Sequence, residues 1–184
     1  NTPRAGINIS EGTWGGHIIE YNDIFNTVKE TGDHGTINSW GRDRFWHPNY
    51  NIMTQITNEK PALILAAVVE PIIIRHNRLR CDRGWHIDLD DGSSNYQIYN
   101  NLCLNGGIKL REGFYRTVEN NIIVNNTLHP HLWFKNSGDV FSRNIVMTKY
   151  KPISVRGWGR EVDYNIFADS LAYLAARQLG GDAH

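Results

Sequence analysis

Apolar and polar residues alternate along this chain in short runs. Such runs include Ile87-Asp88-Leu89, Ile108-Lys109-Leu110, Leu132-Trp133-Phe134 and Ile153-Ser154-Val155. Alternation over three to six residues, bounded by Asn, Gly and Ser, predicts β-strands with one face buried. The starts of these runs differ by 21, 24 and 21 residues. A second pattern, Asn-x-(Ile/Leu), recurs at Asn22, Asn77, Asn100 and Asn120. Relaxed copies follow at Asn144 and Asn165. Its apolar positions are 24, 79, 102, 122, 145 and 166, with steps of 55, 23, 20, 23 and 21. Two independent ladders with one step define an internal repeat.

Leucine-rich repeats share this step length, but their L-x-x-L-x-L consensus and its helix are absent, and the repeat is too short for propeller blades. It predicts an all-β fold, a right-handed parallel β-helix of about six to seven coils. Neighbouring coils would lie roughly 4.8 Å apart. The frequent asparagines then belong to stacked turns, where amides hydrogen-bond from coil to coil. The segment Trp40–Pro61 breaks the repeat and is rich in aromatic and charged residues. It reads as a loop insertion, over about 40–70, that forms a binding wall. Asp169–Gln178, followed by Gly180-Gly181, reads as a short helix capping the C-terminal edge.

Composition narrows the function. The 184 residues suit one domain, here spanning 1–184. Lys plus Arg and Asp plus Glu both number 19, so net charge is zero. That charge balance predicts neither a nucleic-acid nor a membrane partner. Cys81 and Cys103 are expected to be free, buried thiols. The chain starts at Asn1 inside a patterned segment, which reads as an excerpt of a longer protein. An open sheet edge would allow self-association into a homo-oligomer.

Aligning the strands on their apolar positions stacks the outward ones. One row becomes Asp88, Lys109, Trp133 and Ser154, and the next Asp90, Arg111, Lys135 and Arg156. A third holds Asp91, Glu112, Asn136 and Gly157. An earlier repeat, Thr31-Gly32-Asp33-His34-Gly35, places Asp33 and His34 where the chain enters the strip. Trp40 and Arg42 stand at the exit, if Ile37 matches Ile87. Asp88-Lys109 and Asp90-Arg111 would make cross-strand ion pairs on a plain solvated face. Three acids in four residues nonetheless repel one another and favour a raised pKa. The Asp88, Asp90 and Asp91 cluster would also suit a calcium ion; no other cofactor is expected.

Thr-Gly-Asp33-His34-Gly, Ile-Asp88-Leu-Asp90-Asp91-Gly-Ser-Ser and Lys109-Leu-Arg111-Glu112-Gly resemble segments of bacterial β-helix carbohydrate-active enzymes. Among such enzymes they resemble the glycoside hydrolase family 120 β-xylosidases and their family 141 relatives. The resemblance spans the repeat architecture, but its specific part is confined to these segments. It implies a retaining hydrolase of plant or algal glycans, xylan-type favoured, that is secreted or periplasmic. Asp90 or Asp91 would be the nucleophile and Glu112 the acid/base, with Asp33 a second acidic partner. Carboxylates on adjacent coils match the separation of about 5–5.5 Å that retention requires. Trp40, Trp133 and Trp85 would stack on sugar faces. His34, His86, Arg42, Asp88, Lys109 and Arg111 would contact the substrate. Two other readings stand beside this one. In a polysaccharide lyase acting on uronate glycans, Lys109 and Arg111 would carry the chemistry. In a non-catalytic carbohydrate-binding or structural β-helix, the strip would serve recognition only.

Overall fold

The computed structural model describes residues 1–10, 14–126, 128–131, 134–147 and 159–168. Among the described residues the framework is all-β, with three parallel sheets and one short α-helix. The sheet that carries the candidate site runs through Ile7–Ser10, Gly35–Trp40, Trp85–Asp90, Ile108–Leu110 and Leu128–Pro130. A second sheet contains Ile18–Glu20, Ile72–Arg75, Tyr96–Tyr99, Arg116–Glu119, Val140–Ser142 and Glu161–Asp163. The third contains Asp23–Ile24, Arg78–Arg80, Leu102–Leu104, Ile122–Val124, Ile145–Val146 and Ile166–Phe167. From Ile7 to Val146, successive described strands visit the three sheets in turn, so each repeat there adds one strand to each. Inside lie stacked apolar rows, among them Ile37, Ile87 and Ile108, then Ile74, Ile98, Val118, Phe141 and Val162.

The asparagine ladder is real, and its register differs by one residue from the expected one. Asn22, Asn77, Asn101, Asn121, Asn144 and Asn165 stack with amide contacts of 2.9–3.1 Å, at separations of 55, 24, 20, 23 and 21 residues. Asn101 and Asn121 take the places expected for Asn100 and Asn120. In a strand, a slip of one residue moves every side chain to the opposite face. The inward row is accordingly Leu79, Cys103, Ile123 and Val146, all buried. Ile122, Ile145 and Ile166, the apolar positions of the Asn-x-(Ile/Leu) pattern, are exposed. Asn100 and Asn120 instead occupy the left-handed turn before each ladder residue, at φ +56° and +52°. Asparagine tolerates that conformation better than most residues.

A second slip lies in the site sheet. Ile108 pairs with Leu128 rather than Leu132, and Lys109 pairs with His129 rather than Trp133. Leu128-His-Pro and Leu132-Trp-Phe have the same parity, so alternation alone cannot choose between them. Pro130 argues against a strand from sequence, yet it is tolerated in the outermost strand described for this sheet. Phe134 leaves the inward row and stacks on Phe114, with centroids 4.8 Å apart. Leu132, Trp133 and 148–158 lie outside the described residues. So does the expected helix Asp169–Gln178.

The repeat breaks between Trp40 and Ile72, as the sequence indicates. The interruption contains a helix, α1 (Tyr50–Glu59), which the repeat-based reading did not foresee. Asn49 caps it, its side chain accepting from the N–H groups of Asn51 and Ile52. Met53 packs with Phe45, Ile64, Phe114 and Phe134 in a second apolar cluster. Among the described residues, no helix is long and apolar enough to cross a membrane. Cys81 and Cys103 are free and buried.

The ladder generates a prediction. Asn121 Oδ1 accepts from the backbone and side-chain amides of Asn101. Its Nδ2 donates to Ile98 O, Glu119 O and Asn144 Oδ1. Asn121→Ala should cost about 3 kcal/mol through buried groups left unpaired, or roughly 6–12 °C in Tm. Asn121→Asp should cost more, because an acceptor-only anion then faces three acceptors. Thermal unfolding by circular dichroism checks both. Equal Tm values for Asn121→Asp and the parent would refute the ladder's role.

Candidate functional site

The site grows out of two outward rows on the first sheet. The first is Asn8, Asn38, Asp88, Lys109 and His129, in register from strand to strand. The second begins Ser10, Trp40, Asp90. Arg111 N–H donates to Leu89 O and His131 N–H to Leu110 O, which continues that row through Arg111 and His131. Gly35 allows the strand preceding Asp88 to lie close, since a Cβ there would come 2.8 Å from Asp88 Cβ. Asp88 is thereby completely buried.

Lys109 organises the first row. Its ammonium lies 2.9 Å from Asp88, 3.4 Å from Asp33 and 3.6 Å from Asp90. Its stem and head are buried, and the head sits 5.7 Å from the Trp85 ring. Oxygens of Asp33, Asp88 and Asp90 fall within 4.8 Å of one another. Three carboxylates share one ammonium, so one of them is disposed to hold a proton. Burial pushes Asp88 up to about 7, against the pull of Lys109. Burial alone would lower the Lys109 pKa, but Asp88, Asp90 and Asp33 together raise it. Among the described residues the acidic group within ion-binding distance is Asp33, Asp88 and Asp90, and Asp91, expected in it, is not a member.

Arg111 organises the second row. Its Nη1 contacts Asp90 at 2.6 Å and Asp91 at 3.5 Å, and its Nε contacts Glu112 at 3.1 Å. Asp91 is also held by Arg42 at 3.0 Å. Arg42 and Asp91 both have left-handed backbone, each at φ +43°. Their chains meet through the Arg42 N–H, which donates to Asp91 O at 2.6 Å. The Arg42 guanidinium lies 5.5 Å from the Trp40 ring and 5.3 Å from the Trp46 ring. Trp46 Nε1 in turn donates to Glu112 Oε1 at 3.3 Å. Glu112 is buried, and burial raises its pKa while Arg111 and Trp46 oppose the rise.

The turn that presents Arg111 and Glu112 has a rigid support. Arg116, fully buried, pairs with Asp139 at 2.6 Å and also donates to the carbonyls of Arg111 and Gly113. A buried ion pair of this kind is costly to break, because removing one partner strands the other.

The structure thus brings together Asp33, Asp88, Asp90, Asp91, Lys109, Arg111 and Glu112, with Trp40 and Arg42 at the edge. His34 lies beside them, 2.8 Å from Arg4. His86 is placed elsewhere. Its Nε2 is engaged by the backbone of Leu104 and Gly106 in a turn, and burial lowers its pKa to about 4. Trp133 lies outside the described residues. His129 and His131 stand where Trp133 and Lys135 were expected. Both face Trp85, with centroids at 4.4 and 6.0 Å. Burial, then Lys109 and Arg111, lower the His131 pKa to about 4. His129, His131 and Trp46 were missed; the His-Pro-His run was the available signal for the first two.

Asp43 was also missed. It follows Arg42 in the insertion and is buried, and neither carboxylate oxygen has a hydrogen-bond partner among the described residues. It lines a small cavity with Ser39, Ser93, Ser94 and Tyr96. No family model, no curated protein and no solved structure matches the chain.

Burial pushes the Asp43 carboxyl up to about 7, whereas an unfolded chain would hold it near ~4. The folded state then loses stability as pH rises from about 4 toward 7. Asp43→Asn keeps the shape without the charge. It should raise Tm by several degrees at pH 8 and by much less at pH 4. Scanning calorimetry at both values checks this, and an equal effect at both would contradict it.

Proposed function

We propose that the three parallel sheets form a right-handed parallel β-helix of about six to seven coils, and that its charged strip hydrolyses glycosidic bonds. The observation that carries this reading is the grip of one guanidinium, Arg111, on Asp90 from one repeat and Glu112 from the next. Two carboxylates held across one inter-strand step of roughly 4.8 Å lie closest to the retaining separation of about 5–5.5 Å. Trp40 and Trp85 supply ring faces of the kind that stack on sugars. The expected substrates are neutral or sparsely substituted xylan-type glycans, which would place the protein outside the cytoplasm.

In this reading Asp90 attacks the anomeric carbon while Glu112 protonates the departing oxygen. Water then attacks the glycosyl-enzyme, and Glu112 takes its proton. Burial of Glu112 favours its protonated form at the first step. Trp46 covers Glu112 and has to move aside for substrate to reach it. Asp88 and Asp33 fix the Lys109 ammonium beside Asp90. A calcium ion at these acids would have to displace that ammonium, so the reading uses no metal.

The lyase alternative needs Lys109 as a base. Three carboxylates around its ammonium hold it protonated, which disfavours that role. Recognition without turnover is the remaining alternative, and experiment separates it. Glu112→Gln should lower kcat about 10²–10⁴-fold on xylo-oligosaccharides, and Asp90→Asn should abolish turnover. Reducing ends and the absorbance of unsaturated products are followed together. Absorbance rising with the ends would mean elimination. Unaltered turnover in both variants would overturn the assignment.

A further inference from the structure

A cavity of about 220 Å³ opens beside the strip, lined by Arg4, Ala5, Asn8, His34 and Trp40. It has the space of about seven water molecules, the scale of one sugar ring. Its wall is continuous with the proposed nucleophile, because Trp40 and Asp90 are direct partners on neighbouring strands. Trp40 keeps 36% of its surface exposed although it stands within a sheet.

The charges around this cavity are not equivalent. Arg42, on the far side of Trp40, is committed to Asp91. Lys109 and Arg111 are committed to the carboxylates of the strip. Asp33 is turned to Lys109, at 3.4 Å. Arg4 has no carboxylate partner among the described residues; its Nη2 donates instead to His34 Nε2 at 2.8 Å. That bond fixes the neutral imidazole with its proton on Nδ1. His34 Nδ1 is buried and has no acceptor among the described residues. Burial and then Arg4 lower the His34 pKa, which keeps this form at neutral pH. The cavity therefore offers a guanidinium without a carboxylate partner among the described residues and an aromatic face.

Resting on the hydrolase reading above, we propose that this cavity is a subsite for a sugar ring carrying an anionic substituent, a uronate carboxylate or a sulfate ester. Arg4 pairs with the anion and Trp40 stacks on the ring. Net charge of zero gives no long-range attraction for a polyanion. The ligand is thus a largely neutral glycan with an acid group at one position, next to the bond that Asp90 attacks.

The test measures binding by calorimetry in the Glu112→Gln background, so that no probe is consumed. The probes are xylotetraose, xylotetraose with one glucuronate branch, the methyl ester of that branch, and a xylotetraose monosulfate. At least one charged probe should bind about tenfold more tightly than its neutral counterpart, as a charge-assisted hydrogen bond implies. Arg4→Gln should bring that ratio to about one, Arg4→Lys should retain part of it, and Tm should confirm folding of each. Whichever charged probe shows the larger Arg4-dependent preference names the substituent. A ratio of one in the parent, a preference that survives Arg4→Gln, or no binding of any probe overturns the subsite. Cleavage of xylotetraose by the unmutated chain alongside a ratio of one would refute the subsite and leave hydrolysis standing. An Arg4-dependent preference in a chain that cleaves nothing would keep the subsite and refute hydrolysis.

Discussion

Asn101 accepts from the backbone and side-chain amides of Asn77, and donates to the carbonyls of Ile74 and Tyr99. It passes the same arrangement on to Asn121. A primary amide is the side chain that suits this position, since both acceptor and donor functions are used on every step. Buried backbone groups that would otherwise go unpaired are satisfied by the ladder. The ladder also removes any freedom to slip, because a one-residue shift would break several hydrogen bonds and expose the inward apolar row. Register on the site sheet, some distance along the chain, inherits this precision.

Fixed register makes chemistry on the outer face economical. Residues about 20 apart in sequence become neighbours, so a short motif on each repeat contributes one member to a cluster. Ser10, Trp40, Asp90, Arg111 and His131 meet in this way at steps of 30, 50, 21 and 20 residues, the longest of which spans the insertion. The ammonium of Lys109 and the guanidinium of Arg111 then divide the carboxylates between them. Lys109 takes the buried and entering acids, and Arg111 takes those at the exit. The Arg116–Asp139 pair under the exit turn resists any drift of Arg111 and Glu112, since both partners are fully buried and neither can be solvated alone. The insertion adds what the repeat cannot. It leaves the strand after Trp40 and returns near Ile72, anchored by Phe45 and Met53, and thereby brings Trp46 to Glu112.

Much of the framework was legible because alternation and spacing are one-dimensional signals. The repeat length, the strand alternation, the match of Ile37 with Ile87, and the grouping of Asp33, Asp88, Asp90, Lys109 and Arg111 all follow from them. Absolute register was less legible. Asn100-Asn101 and Asn120-Asn121 each offer two asparagines, and only the cost of a left-handed turn against a buried amide decides between them. Leu128 and Leu132 offer two strands of equal parity, and Pro130 points to the wrong one. His86 sits beside the acidic run in sequence, but its ring is taken up by the backbone of Leu104 and Gly106. Asp43 and Trp46 fall in the insertion, where no periodicity operates. Helix α1 is short, with Met53 and Thr57 as its buried residues, so its pattern is faint against the surrounding aromatic residues.

The two kinds of polar burial in this protein distinguish its faces. On the third sheet, the asparagine amides are buried and their hydrogen bonds are made within the ladder. Near the first sheet, His34 Nδ1, His131 Nε2 and both oxygens of Asp43 are buried without hydrogen-bond partners among the described residues. A scaffold selected only for stability would favour the first arrangement everywhere, because each unpaired buried group costs about 1–3 kcal/mol. Asp88 and Glu112, on the first sheet's outer strip, also have raised pKa values because both are buried. Beside the strip, Arg4 and the exposed Trp40 line one cavity, apart from the small cavity that Asp43 lines.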